Sequence, residues 1–201
     1  MKNKKGIEFS VGMIVMIIIA IVIFIISISF LFKWFGEAEV LKAEIDRQTE
    51  EQIKTALRQG TSLVAIPINI QSAGLRDKVS FGVGVRNIVD EQIFSGRIAF
   101  SGAYTPDGRD ITVDRAVVEE DWLGAFAEMP SFTLKKNEMQ IIPVLIIPGK
   151  IEETKLATKG DYVFNVCIYK KETPGSCTVS EIAQDPDLYT GKIYQVTVRI
   201  E

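Results

Sequence analysis

Cys167 and Cys177 flank the turn signal Thr173-Pro174-Gly175-Ser176, and they are the chain's two cysteines. Their spacing suits a local disulfide, which on the chain-entropy account would constrain the unfolded chain by ~3 kcal/mol. Two unpaired thiols remain the alternative, because spacing does not fix the Cα separation. The acidic run Glu119-Glu120-Asp121, and separately Asp107, Asp110 and Asp114, could offer oxygen ligands to calcium. Neither group has EF-hand spacing, and solvated loop carboxylates are the commoner use of such residues. Gly82-Val83-Gly84 opens a dinucleotide-type glycine pattern, but Asn87 stands where its last glycine belongs and no helix follows. Outward glycines on a strand mark a bulge or a close backbone approach instead.

The chain has no histidine, which removes Ser-His-Asp and Cys-His nucleophile pairs and every histidine-ligated metal. Two cysteines cannot build a four-cysteine zinc site or an iron–sulfur cluster. Carboxylate pairs and Ser-Lys arrangements are what remain for catalysis, and no local spacing singles one out. The expectation is therefore a non-enzyme with no cofactor, no metal and no identified small-molecule substrate. The 201 residues carry 23 basic and 26 acidic side chains, a balance with no electrostatic footprint for nucleic acid.

The elements that would hold these residues fall into four segments. Residues 1–8 form a short basic leader expected in the cytoplasm. Residues 9–35 contain the uncharged run Phe9 to Phe32, which as a helix rises ~36 Å and suits a transmembrane span. Lys2, Lys4 and Lys5 orient it with the N-terminus inside, so that the rest of the chain lies outside the membrane. Residues 36–60 are expected to continue as an amphipathic helical stalk with Ala38, Leu41, Ile45, Ile53 and Leu57 on one face. That stripe is expected to pack on the stalk's own domain, since the repeat is too short for a coiled coil.

Residues 61–201 switch to period-two alternation. Strands are expected at Ser62–Ile70, Lys78–Arg86, Gly96–Tyr104, Ile111–Val118, Ser131–Leu134, Met139–Ile147, Tyr162–Tyr169 and Ile193–Ile200. The fold class that follows is mainly β with a long N-terminal helix, ending in an antiparallel β-sandwich. Trp122, Leu123, Phe126 and Met129, in the connection Glu119–Pro130, are read two ways. They are a partner-contact patch, or a short helix whose aromatics cap one end of the sandwich.

Two resemblances sharpen this. The run Gly160-Asp161-Tyr162, entering a strand, resembles the tyrosine corner of immunoglobulin-like domains, whose hydroxyl returns to nearby backbone. The lysine-rich leader ending Lys5-Gly6, followed by Ile7-Glu8-Phe9-Ser10-Val11-Gly12 and the apolar run, resembles the class III signal of archaeal type IV pilin-like proteins. The architecture also resembles archaellum stator proteins. These resemblances imply a single-pass, membrane-anchored cell-surface protein whose head contacts envelope or surface-layer proteins or like subunits. They also imply processing between Gly6 and Ile7. The alternatives are a filament-forming pilin after that cleavage, a sensor or solute-binding head, and a membrane-anchored enzyme.

Overall fold

The computed structural model describes residues 12, 15–24, 47–60, 62–178 and 185–201. The chain divides into two compact units, Met1–Ala43 and Glu44–Glu201. In the first, residues 15–24 are helical with exposed side chains.

The second unit opens with helix α1, Arg47–Arg58, whose buried residues Thr49, Ile53 and Leu57 recur every four positions and so form one stripe. The strands follow as β1 (Val64–Ala65), β2 (Ile70–Ala73), β3 (Val79–Arg86) and β4 (Gln92–Tyr104). After the short helix α2 (Arg115–Val118) come β5 (Glu128–Leu134), β6 (Met139–Ile146), β7 (Lys150–Glu152), β8 (Lys155–Leu156), β9 (Gly160–Tyr169) and β10 (Tyr194–Ile200). They make a three-stranded sheet β1-β3-β6, a five-stranded sheet β2-β10-β9-β4-β5 and the hairpin β7-β8. Val79, Phe81, Val83 and Val85 of β3 share one core with Phe94, Ile98 and Phe100 of β4 and Phe164 and Val166 of β9. Period-two alternation thus delivers one face of each sheet to a common interior.

Two expectations are corrected. Among the described residues no helix is long and apolar enough to cross a membrane. Helix α1 has 12 residues, whereas a span takes ~20 apolar ones. Its apolar stripe packs within the second unit, as the spacing implied: Ile53 and Leu57 cluster with Ala65, Met139 and Ile141 of the three-stranded sheet. The long N-terminal helix, the transmembrane signal anchor and the pilin-like architecture that required them are therefore unsupported. Gly6, Ile7 and most of residues 1–46 lie outside the described residues.

The second correction concerns class: the unit is mixed α/β rather than an antiparallel immunoglobulin-like sandwich. Pro67 interrupts the expected strand Ser62–Ile70, because it has no N–H for a ladder. Val64–Ala65 consequently pairs antiparallel with β3, whereas Ile70–Ala73 crosses to run parallel with β10. Register shifts in β4 at Phe94/Gly96 and Phe100/Gly102 bend and curl the five-stranded sheet. The expected strand Ile111–Val118 is replaced at its end by α2. There the Asp114 carboxylate accepts from the backbone N–H of Ala116 and Val117 and starts a helix.

Gly84 explains how α1 reaches the sheet. A Cβ at this position would overlap Ile53 Cγ2 and stand 2.9 Å from Leu57 Cδ1. The helix end is tied down as well, since Arg86 Nη1 donates to the Leu57 carbonyl at 2.8 Å. Gly84→Ala is expected to destabilise the chain by about 1–3 kcal/mol through overpacking. The loss should shrink in an Ile53→Ala background, and a urea-unfolding double-mutant cycle measures both. Equal losses in the two backgrounds would refute this seating.

Candidate contact surface

The connection Glu119–Pro130 plugs the core. Trp122 is buried, its Nε1–H donates to the Lys150 carbonyl at 2.7 Å, and its ring lies 4.7 Å from that of Tyr162. Leu123 is buried beside it, and Met129 is buried over Gly96, where a Cβ would strike its side chain. Of the four residues singled out in sequence, Phe126 alone is exposed, at 38%. A contact patch made of all four would require the core to open.

The acidic residues serve the backbone. At the β4 irregularity, Glu119 accepts from the Phe100 N–H at 2.9 Å, while Arg115 donates to the Phe100 carbonyl. A bulge leaves such groups unpaired, and this pair of side chains satisfies them. Asp121 accepts from Lys150 N at 2.6 Å, whereas Asp107 pairs with a side chain, accepting from Arg109 Nε at 2.7 Å. Among the described residues no group of three or more acidic or cysteine side chains is arranged to hold a metal ion.

Cys167 and Cys177 are joined, with their Cα atoms 5.8 Å apart. They are buried with Ala99, Tyr169 and Leu188 in a second cluster. Tyr162, Phe164, Val166 and Ile168 face the main core, so Cys167 lies on the opposite face of β9, and that face is covered too. Asn165 Nδ2 donates to the Cys177 carbonyl at 3.2 Å, and the Tyr169 hydroxyl donates to the Ser176 carbonyl. The Tyr162 hydroxyl turns back to Thr158, donating to its carbonyl and accepting from its N–H, each at 3.0 Å.

A surface not singled out in sequence lies where β3 turns into β4. Asn87 is fully buried, and its side-chain amide donates to the carbonyls of Asp90 and Leu134, both at 2.9 Å. Its Oδ1 accepts from Val89 N at 3.1 Å. Its backbone is clamped to the β5–β6 turn, donating to Glu138 O at 2.9 Å and accepting from Asn137 N at 2.8 Å. Asn137 has φ 67°, the left-handed conformation that asparagine tolerates. From behind, the Tyr189 hydroxyl donates to Arg86 O at 2.6 Å. Burial pushes that hydroxyl above the ordinary tyrosine range. Its ring meets Phe94 edge-on at 4.9 Å.

With every polar group of Asn87 engaged, the chain at 88–91 turns outward. Ile88 is 45% exposed, Val89 49% and Ile93 42%, with exposed Asp90 and Glu91 between them. The one sequence signal was an apolar Ile-Val pair in a connection, where polar turn residues are the rule. Asn87→Ala is expected to cost about 1–3 kcal/mol, because it strands buried partners, as read by urea unfolding. An unchanged midpoint would mean that Asn87 does not hold the loop.

A cleft of about 440 Å³ lies at the other end of β10, lined by Pro106, Lys159, Asp161, Arg199 and Glu201 among others. Its main charges cancel, since Arg199 Nε and Nη2 grip the two Asp161 oxygens at 2.7 and 2.9 Å. That hydrogen bonding holds the Asp161 carboxyl below its ordinary value. A depressed folded value contributes stability above the unfolded pKa of about 3.9, and this is lost as pH falls through the folded value. Asp161→Asn should therefore flatten the acid limb of stability below about pH 4. The effect should stay under about 1 kcal/mol, because solvent screens the pair. An identical acid limb in the variant would contradict this.

No family model and no curated protein matches the sequence. Among solved structures, a family 123 glycoside hydrolase from Clostridium perfringens is similar at TM-score 0.35 and 12% identity, over 74% of this chain and 25% of that one. The alkylpurine DNA glycosylase AlkC of Pseudomonas fluorescens is similar at TM-score 0.33 and 12% identity, over 72% and 32%. The class 5 fimbrial chaperone CfaA is similar at TM-score 0.30 and 13% identity, over 68% and 55%. The chain spans between a quarter and just over half the length of these proteins. At this level of likeness, neither their folds nor their activities pass to it.

Proposed function

We propose that residues 44–201 form an extracytoplasmic protein-contact domain, and that its tip, Ile88, Val89 and Ile93, docks into an apolar recess on another envelope protein. The observation that carries this reading is the buried Asn87, whose hydrogen bonds hold two apolar side chains out in water. A loop free to relax would tuck them in, because burying an aliphatic side chain gains about 1.5–3 kcal/mol. A rigid apolar centre with a polar rim is the anatomy of a contact surface. The flanking carboxylates of Asp90 and Glu91 favour a recess rimmed by Lys or Arg.

Two further observations support the reading. A disulfide such as Cys167–Cys177 persists in oxidising, extracytoplasmic surroundings. Binding is favoured over catalysis because four of the carboxylates are engaged elsewhere: Glu119, Asp121 and Asp114 in backbone bonds, and Asp161 with Arg199.

A photo-crosslinking residue at Val89 of the full chain, in the cells that make it, tests the proposal. Irradiation should give a discrete protein adduct that Ile88→Asp abolishes. The same group at Leu156, equally exposed on β8, should give none. No adduct at Val89, or the same adducts at both positions, would sink the proposal.

A further inference from the structure

A strand at the end of a sheet has a row of backbone groups with no ladder to join, and native chains blunt such edges with proline, charge or brevity. Four strands end the two larger sheets here: β1 and β6 in one, β2 and β5 in the other. Three of them are blunted. β1 has two residues, β5 contains Pro130 and changes register around it, and β6 contains Pro143. A proline has no N–H to offer a neighbouring strand. β2 has neither proline nor charge, and no charged residue occurs from Gln59 to Leu75.

One hydrogen bond shows which backbone groups of β2 face outward. Thr197 N donates to Asn69 O at 2.7 Å, so Asn69 turns toward β10, with which β2 runs parallel. Successive residues of a strand address its two sides alternately, so Gln71 turns to β10 as well, and Ile70 and Ser72 turn to the open edge. Among the described residues no strand pairs with that edge. The side chains of Ile70 and Ser72 are exposed, and Ser72 Oγ donates to Glu201 at 2.7 Å along the sheet, leaving the edge clear.

We infer that β2 pairs edge to edge with β2 of a second copy of the chain, antiparallel about a two-fold axis at Gln71. Ile70 then stands opposite Ser72 of the second copy, and Ser72 opposite its Ile70. Each of these pairs exchanges two N–H···O bonds, which satisfies the outward groups of both residues. A like strand suits this edge because antiparallel self-pairing sets the segment against itself, and an uncharged segment meets no repulsion there. Exposed Ile68 and Ile70 of both copies add apolar surface to one contact. The five-stranded sheets run on as one across an isologous interface. This edge is distinct from the tip, since β10 and β9 stand between β2 and β4, the strand that carries Ile93. The inference therefore does not rest on the docking role of the tip.

A photo-crosslinking residue at Ile70 of the full chain, in the cells that make it, tests the pairing. Irradiation should give an adduct of twice the chain's mass, with the link mapped to residues 68–74 of the second copy. Ser72→Pro removes an outward N–H that β10 does not use, and it should abolish the adduct. Ser72→Lys, at the same exposed position, should do so by placing charge on the edge, and it decides if the proline variant fails to fold. No two-chain adduct, an adduct that survives both substitutions, or capture of a different protein in its place would overturn the inference. So would an equal two-chain adduct from a probe at exposed Leu156.

Discussion

Strand β9 needs cover on both faces, and much of the molecule follows from that. One face carries Tyr162, Phe164, Val166 and Ile168 into the core shared by the two sheets; the other carries Cys167 and Tyr169. A central strand with one face left wet would expose these side chains, so the chain after Tyr169 is folded back over them and fastened by Cys177. Leu188 belongs to that cover, and its neighbour Tyr189 donates its hydroxyl to Arg86 O at the end of β3.

The polar residues obey a matching constraint: buried backbone groups must find partners. Glu119 and Arg115 serve the irregular stretch of β4, Asp121 serves the start of β7, and Asn87 serves three backbone groups at once. These contacts turn carboxylates that could look like a metal site into fasteners. The apolar side chains at 88 and 89 lie exposed beside the fully engaged Asn87.

The legible parts of the fold were those where one periodicity rules. Val79, Phe81, Val83 and Val85 alternate cleanly, and β3 lies there; Val196, Val198 and Ile200 do the same for β10. Expectation failed where a local group overrode the period. Pro67 split one strand between two sheets, and Asp114 capped a helix where alternation had suggested a strand. The apolar stripe of α1 was visible in Ile53 and Leu57, but its seat was not, because a glycine such as Gly84 shows in sequence only as a missing side chain. The contact tip was hidden for a related reason. Asn87 stood out only as a departure from a glycine pattern, and Tyr189 is about a hundred positions away in the chain, so nothing local linked them.

The account turns on the Cys167–Cys177 bond being present in the protein as its cells make it. Peptide mapping of that protein, alkylated and digested without reduction, tests this most directly. The account predicts a single linked species joining the peptide that contains Cys167 to the one that contains Cys177. Recovery of both peptides carrying the alkylating group, with no linked species, would contradict it.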